Sequence, residues 1–166
     1  MAKAKGSLKC LSVAMMALMM VFAMTVGSFA ATATNYNVTV YKDGETETSM
    51  ADWGINKSVP ATYDADTQTL TIPIQEITND HAGYLYKGYI TGLTFDDLGV
   101  SGTCELQADT LVINNFPAQS AAEASYNVTF DLGVYFWWDD ELSYPQSIPV
   151  MGNQPQADLV LSIVEA

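Results

Sequence analysis

The side chains that usually carry enzyme chemistry are scarce in this sequence of 166 residues. It has one histidine, His81, two cysteines and no arginine. A metal site built on several histidine or cysteine ligands cannot be assembled from that inventory, and neither can an arginine clamp on phosphate. The nucleophile elbow, the zinc-protease helix and the phosphate-binding loop are also absent from the sequence. We therefore expect a protein that is not an enzyme.

Acidic residues are the remaining candidates for chemistry, and nineteen of them stand against six lysines. A carboxylate pair can hydrolyse a glycosidic bond and a carboxylate cluster can bind calcium, but the calcium-loop pattern D-x-D-x-D-G does not occur. Asp96-Asp97 and the acidic run 139–141 are interpreted as solvated turns. The acidity also argues against nucleic acid and anionic membranes as partners, because both would be repelled.

The first thirty residues have the composition of a secretion signal. Three lysines within residues 1–10 precede a nearly uninterrupted apolar run over 10–26, and small residues follow at 28–30. This order of basic, apolar and small residues is typical of a signal peptide. We expect residues 1–30 to be removed on export and residues 31–166 to form a single secreted domain with no cell-wall anchor and no membrane attachment. An uncleaved membrane anchor is the alternative interpretation.

Alternation of apolar and polar residues with period two dominates residues 31–166 and predicts an all-β fold. Tyr36, Val38 and Val40 are expected to share one face of the first strand, and Pro73 predicts an edge strand or a bulge. About seven to eight strands with frequent turns favour an immunoglobulin-like β-sandwich. Predicted strands beyond residue 80 lie at 84–95, 110–115, 126–134 and 157–164.

One segment interrupts the β pattern between the first two predicted strands. Ser49 is a suitable N-cap, Asp52 can interact with the helix dipole, and Gly54 can end the turn. The sequence therefore predicts one short helical turn near residues 49–54, with Met50 at its first position.

Methionines give the most informative count in the sequence. Six of the eight lie in the predicted signal, which leaves Met50 and Met151, both in irregular segments. On residue chemistry alone, the two are interpreted as side chains that fill gaps beneath loops.

The segments around these methionines resemble a known family. Residues 36–53 (YNVTVYKDGETETSMADW) and 148–160 (IPVMGNQPQADLV) are similar to the two ends of secreted NEAT-like haem-binding domains of Gram-positive bacteria, of the streptococcal cell-surface Shp type. The resemblance implies haem as the cofactor, with its iron held between the thioethers of Met50 and Met151. Typical NEAT domains use a tyrosine ligand with a second tyrosine four residues later, and this spacing is absent from the chain.

Aromatic residues are the candidates for the walls of such a pocket. Trp53 closely follows Met50, and Tyr84 and Tyr86 alternate along a predicted strand, so these three are expected to contact haem. Cross-strand packing is the alternative role for the two tyrosines. A haem propionate would face solvent or meet Lys57 or Lys87.

Two functions follow from these alternatives. The resemblance implies capture and relay of haem in iron acquisition, with other haem-relay proteins as partners and without catalysis. The alternative is an immunoglobulin-like adhesion module that binds a glycan or a protein. In that case Trp137, Trp138 and the tyrosines form the binding face, and the methionines are structural.

Overall fold

The predicted all-β fold is confirmed in a computed structural model, which describes residues 33–81, 84–136 and 155–164. The described chain contains one 3₁₀ helix, Met50–Gly54. Nine strands form the rest of its regular structure: β1 (Thr34–Lys42), β2 (Ala61–Asp64), β3 (Thr69–Pro73), β4 (Ile77–His81), β5 (Tyr84–Phe95), β6 (Val100–Thr103), β7 (Thr110–Ile113), β8 (Glu123–Phe136) and β9 (Gln156–Ile163).

The structure has more strands than the sequence pattern predicts. β2, β4 and β6 are additional, and each has only four or five residues, too few to establish a clear period. The backbone of His81, the single histidine of the sequence, ends β4 opposite Tyr84 of β5. The predicted signal peptide 1–30, Met151, Trp137 and Trp138 lie outside the described residues.

All strand pairs are antiparallel, and they form one sheet in the order β4-β5-β8-β9-β1-β2-β3-β7, with β6 also paired to β5. The sheet curls, so that β6 packs against β7 from the other end of the order. A Cβ atom added at Gly102 of β6 would lie 2.2 Å from the carbonyl oxygen of Val112. Only glycine allows the two strands to approach this closely. The curled sheet thereby encloses a core in the manner of a sandwich.

β1 and β8 are the strands on which this arrangement depends. β1 pairs with β2 through residues 34–36 and with β9 through residues 36–42. β8 pairs with β9 through residues 123–129 and with β5 through residues 128–136. Residues 130–136 of β8 therefore continue past the residues that pair with β9. This part of β8 forms a three-stranded extension of the sheet with β5 and β4.

The alternating residues of β1 behave as predicted, since Tyr36, Val38 and Val40 are all buried. They belong to the hydrophobic core together with β9 residues Leu159 and Leu161. Pro73 does not mark an edge strand, because β3 is paired with both β2 and β7. It is the last residue of β3 and lies beyond the final residue pair with β2. The N–H that proline lacks is therefore not needed for a hydrogen bond to a neighbouring strand.

Among the described residues, no helix has both the length and the apolarity needed to cross a bilayer.

Candidate functional site

The 3₁₀ helix forms where the sequence predicts a helical turn, and its N-cap is Ser49. Ser49 has an extended backbone, with φ −72° and ψ 153°, and its Oγ accepts a hydrogen bond from the backbone N–H of Ala51 at 3.3 Å. The Ser49 carbonyl accepts a further bond from the N–H of Asp52 at 3.0 Å. The bond to Ser49 Oγ satisfies a donor of the first turn that has no partner within the helix, and the bond to the Ser49 carbonyl is the first hydrogen bond of the helix itself.

Because a 3₁₀ helix has three residues per turn, residues at i and i+3 lie above one another, and the helix has three distinct ridges. Ala51 and Gly54 form the inner ridge and are buried. Met50 and Trp53 form the outer ridge and are 50% and 52% exposed, respectively. Asp52 belongs to the third ridge and is buried at 8% exposure. The structure therefore brings two of the predicted haem contacts, Met50 and Trp53, together on one exposed surface.

Gly54 ends the helix as predicted, but for a different reason. Its backbone is not in the left-handed conformation, which the structure records for Gly44 and Gly99. An added Cβ at Gly54 would lie 2.8 Å from Cδ1 of Ile90 and 3.0 Å from Cδ1 of Ile77. Glycine is needed here because the helix lies directly on β4 and β5.

Asp52 holds the helix against β1. Its Oδ1 accepts a hydrogen bond from the backbone N–H of Val40 at 2.8 Å, and its Oδ2 accepts one from Lys57 Nζ at 2.6 Å. The carbonyl of Val40 accepts a bond from the N–H of Ser49 at 2.9 Å. The backbone N–H and the carbonyl of Val40 are thus both hydrogen-bonded to residues 49–52. The predicted role of Asp52 at the helix dipole omits these longer-range contacts.

Two adjacent residues, Gln75 and Glu76, connect the far end of the helix to β5. The backbone N–H of Gln75 donates to the Gly54 carbonyl at 2.9 Å, and its side-chain amide donates to the Trp53 carbonyl at 2.9 Å. Glu76 accepts hydrogen bonds from Lys87 Nζ and from the Tyr89 hydroxyl. Sequence patterns did not indicate this connection, because it depends on the pairing of β4 with β5.

The charge state of Glu76 follows from these contacts. Burial raises the pKa of Glu76, but the hydrogen bonds from Lys87, Tyr89 and Thr78 together outweigh burial, so that the pKa lies below its ordinary value. The hydrogen bond with Glu76 in turn raises the pKa of Lys87. An ionised carboxylate and a charged ammonium therefore face each other beside β4 at neutral pH.

The predicted pocket residues Tyr84 and Tyr86 lie at alternate positions of β5 with Gly88 and Ile90, so these four positions share one face of the strand. Ile90 is a residue on which the helix packs. The pairing register sets Tyr86 beside Phe136 of β8. The backbone therefore places positions 84 and 86 further along the face of the sheet that carries the 3₁₀ helix.

All three lysines of the described residues form ion pairs. Lys57 contacts Asp52 at 2.6 Å and remains 48% exposed, whereas Lys87 contacts Glu76 at 2.8 Å and is more enclosed. Lys42 pairs with Glu47 at 2.7 Å on the hairpin that precedes the helix. Both lysines that were considered for the propionates are thus already neutralised by a carboxylate.

Other candidate chemistry receives little support from the described residues. They contain no group of three or more histidine, cysteine, aspartate or glutamate residues that could hold a metal ion. Cys104 packs against the core and its thiol donates to the Ile90 carbonyl. Burial raises the pKa of this thiol, which favours the unreactive protonated form. Asp96 and Asp97 lie in an exposed turn, where they accept bonds from Thr129 and Asn127.

Comparison of the whole chain with protein-family models and with curated proteins gives no match.

Proposed function

We propose that this protein binds haem, with the thioether of Met50 as one axial ligand of the iron and Met151 as the other. The observation that carries the proposal is the outer ridge of the 3₁₀ helix. Met50 and Trp53 are both half exposed there, while the inner ridge of the same helix is anchored in the core. A firmly held helix that displays a thioether beside an indole is suited to contact a flat apolar ligand.

The residues of the outer ridge fit the chemistry of haem. Methionine sulfur is soft, neutral and polarizable, and it can ligate haem iron. The indole of Trp53 adds a large apolar surface next to that sulfur, and burial of porphyrin surface would contribute roughly 25 cal/mol per Å². Weak axial bonds supported by apolar burial would allow haem to be both received and released.

The face of β5 that includes positions 84 and 86 would provide a second wall. It adjoins the helix through Ile90. Carboxylates already neutralise Lys57 and Lys87, so we propose that the propionates face solvent. Such an orientation limits their repulsion by the acidic protein.

The proposed biological role is haem capture and relay, outside the cell and without catalysis. Release to a second haem protein is part of this role, because a ligand set of two thioethers binds iron weakly. The secreted location rests on the signal-like sequence of residues 1–30.

Haem titration followed by absorption spectroscopy tests the proposal. The wild-type protein should give a low-spin ferrous spectrum. Met50→Ala and Met151→Ala should each weaken haem retention and change that spectrum, and the double variant should be weaker than either. Val59→Ala is a matched control, because Val59 is also an exposed apolar residue, 52% accessible, but lies outside the helix.

Two results would contradict the assignment. Wild-type spectra in both single variants would remove the methionines as ligands. A wild-type protein that takes up no haem but binds a glycan or protein would favour the adhesion module.

Because Met50 is half exposed, its truncation should cost roughly 1 kcal/mol of unfolding free energy, well below the 2–5 kcal/mol of a buried methionine.

A further inference from the structure

Asp52 is the one buried charged residue among those whose side chains the structure describes, and both of its carboxylate oxygens accept hydrogen bonds. A buried carboxylate is costly unless it is paired and hydrogen-bonded. Lys57 provides the charge partner and Val40 provides a backbone N–H. Asp52 differs from the carboxylates of the other two ion pairs, because its side chain also joins the helix to the backbone of a core strand, β1.

The contact fixes the rotation of the 3₁₀ helix about its own axis. Asp52 lies on the ridge between the outer and inner ridges, one third of a turn from each. Any rotation that removes Asp52 from Val40 therefore turns the outer ridge by the same angle. Such a rotation would move Met50 and Trp53 away from the exposed positions that they share in the structure.

We propose that Asp52 is a positioning residue for the haem site, which holds Met50 and Trp53 at the angle where they face a ligand together; this inference rests on the proposed function of Met50. Ser49 and Gln75 secure the two ends of the helix. Their bonds involve the helix backbone near its ends, and the packing of Ala51 and Gly54 sets the distance of the helix from the sheet, so that Asp52 provides the side-chain hydrogen bond that opposes rotation. Lys57 completes the device, since its ammonium neutralises a carboxylate that would otherwise be buried with one backbone donor.

The variants Asp52→Asn and Asp52→Ala test this role in the full chain. Asparagine keeps the volume, but its neutral amide oxygen accepts from the Val40 N–H more weakly than a carboxylate does, and it loses the charge that attracts Lys57. Alanine removes both contacts. Glu47→Gln is the matched control, because it breaks the exposed ion pair of Lys42 on the neighbouring hairpin without touching the helix.

We expect Asp52→Asn to unfold cooperatively, to bind haem at least about tenfold more weakly than wild type, and to lose part of the low-spin ferrous spectrum. Asp52→Ala should be weaker still, and Glu47→Gln should bind as wild type does. Hydrogen exchange of residues 49–55 should be faster in Asp52→Asn, while exchange of β9 should be unchanged. If the alanine variant fails to fold, the asparagine variant alone decides.

The outcomes separate this inference from the proposed function. Wild-type haem affinity and spectrum in Asp52→Asn, with only a lower unfolding midpoint, would show a purely stabilising residue and overturn the positioning role. If the wild-type protein takes up no haem, the proposed function is overturned. In that case hydrogen exchange still tests whether Asp52 positions the helix. Unchanged protection of residues 49–55 in Asp52→Asn would overturn that positioning role.

Discussion

Adding one methyl group at Gly54 should push the 3₁₀ helix away from the sheet that supports it. An ideal Cβ there lies 2.8 Å from Cδ1 of Ile90 and 3.0 Å from Cδ1 of Ile77. Carbon atoms in contact settle at roughly 3.5–4.0 Å, so the gap must widen by about 0.7 Å or more. Both isoleucines are buried, at 1% and 9% exposure, and cannot simply swing into solvent.

The magnitude follows from two opposing effects. Overpacking a well-packed core costs about 1–3 kcal/mol. Replacing glycine by alanine also restricts the unfolded chain, which stabilises the folded state by about 0.4–1 kcal/mol where the backbone conformation suits alanine. The φ of Gly54 is not positive, so this gain applies. We expect Gly54→Ala to lower the free energy of unfolding by a net 1–2 kcal/mol, roughly.

Gly88→Ala provides the comparison, since it adds the same methyl group beside the same isoleucine. Its Cβ would lie 3.5 Å from Cβ of Ile77 and 3.8 Å from Cδ1, which is ordinary contact. This variant should be neutral or stabilised by up to about 1 kcal/mol. Urea unfolding of the two variants and the wild type measures both changes. A Gly54→Ala protein at least as stable as the wild type would refute the close packing of the helix on Ile90.

Three further predictions concern the site and the fold. If Met50 and Met151 ligate haem iron as proposed, the haem should be easily reduced and should bind more tightly as Fe(II), because two thioethers add no charge that stabilises Fe(III). A strongly negative midpoint potential or a phenolate charge-transfer band would instead indicate a tyrosine ligand. The lowered pKa of Glu76 means that its carboxylate stabilises the fold above its ordinary pKa and loses this contribution as pH falls through the lower native pKa. Acid titrations of stability should therefore show a Glu76→Gln deficit at neutral pH that shrinks at acid pH, and a constant deficit would contradict the ionised Glu76. Gly102→Ala should destabilise by more than about 3 kcal/mol, because backbone rather than side-chain atoms block its Cβ, and a wild-type melting temperature would argue against the packing of β6 on β7.

Local features were the most predictable part of this protein. The alternation of Tyr36, Val38 and Val40 correctly predicted that all three are buried, because the two-residue period of a strand alone places them on one face. Ser49 located the start of the 3₁₀ helix, since capping depends on neighbouring residues. Gly54 located its end, although packing on Ile90 rather than capping requires glycine there. The three-residue period that places Met50 and Trp53 on one ridge is a finding of the structure, because the capping pattern does not specify the type of helix.

Long-range features were less predictable from the same residues. The hydrogen bond from the Val40 N–H to Asp52 requires the helix to pack against β1. The residues of the segment 49–54 do not by themselves indicate that packing. The contact of Glu76 with Lys87 requires β4, a strand of five residues whose polar sequence resembles a loop. Strand order depends on pairing between distant segments, for which a single sequence provides no local signal.

The pairing of β1 with β9 has a consequence for how the chain is made. β1 is the first described strand and β9 the last, yet they are hydrogen-bonded neighbours in the middle of the sheet. During synthesis β1 lacks this partner until β9 has emerged, so the pairing of β1 with β9 cannot form before then. Sheets with such distant pairings also fold slowly. Under the export that we propose, a chain crossing a membrane as an extended polymer would benefit from this delay, because the sheet would close only after transport.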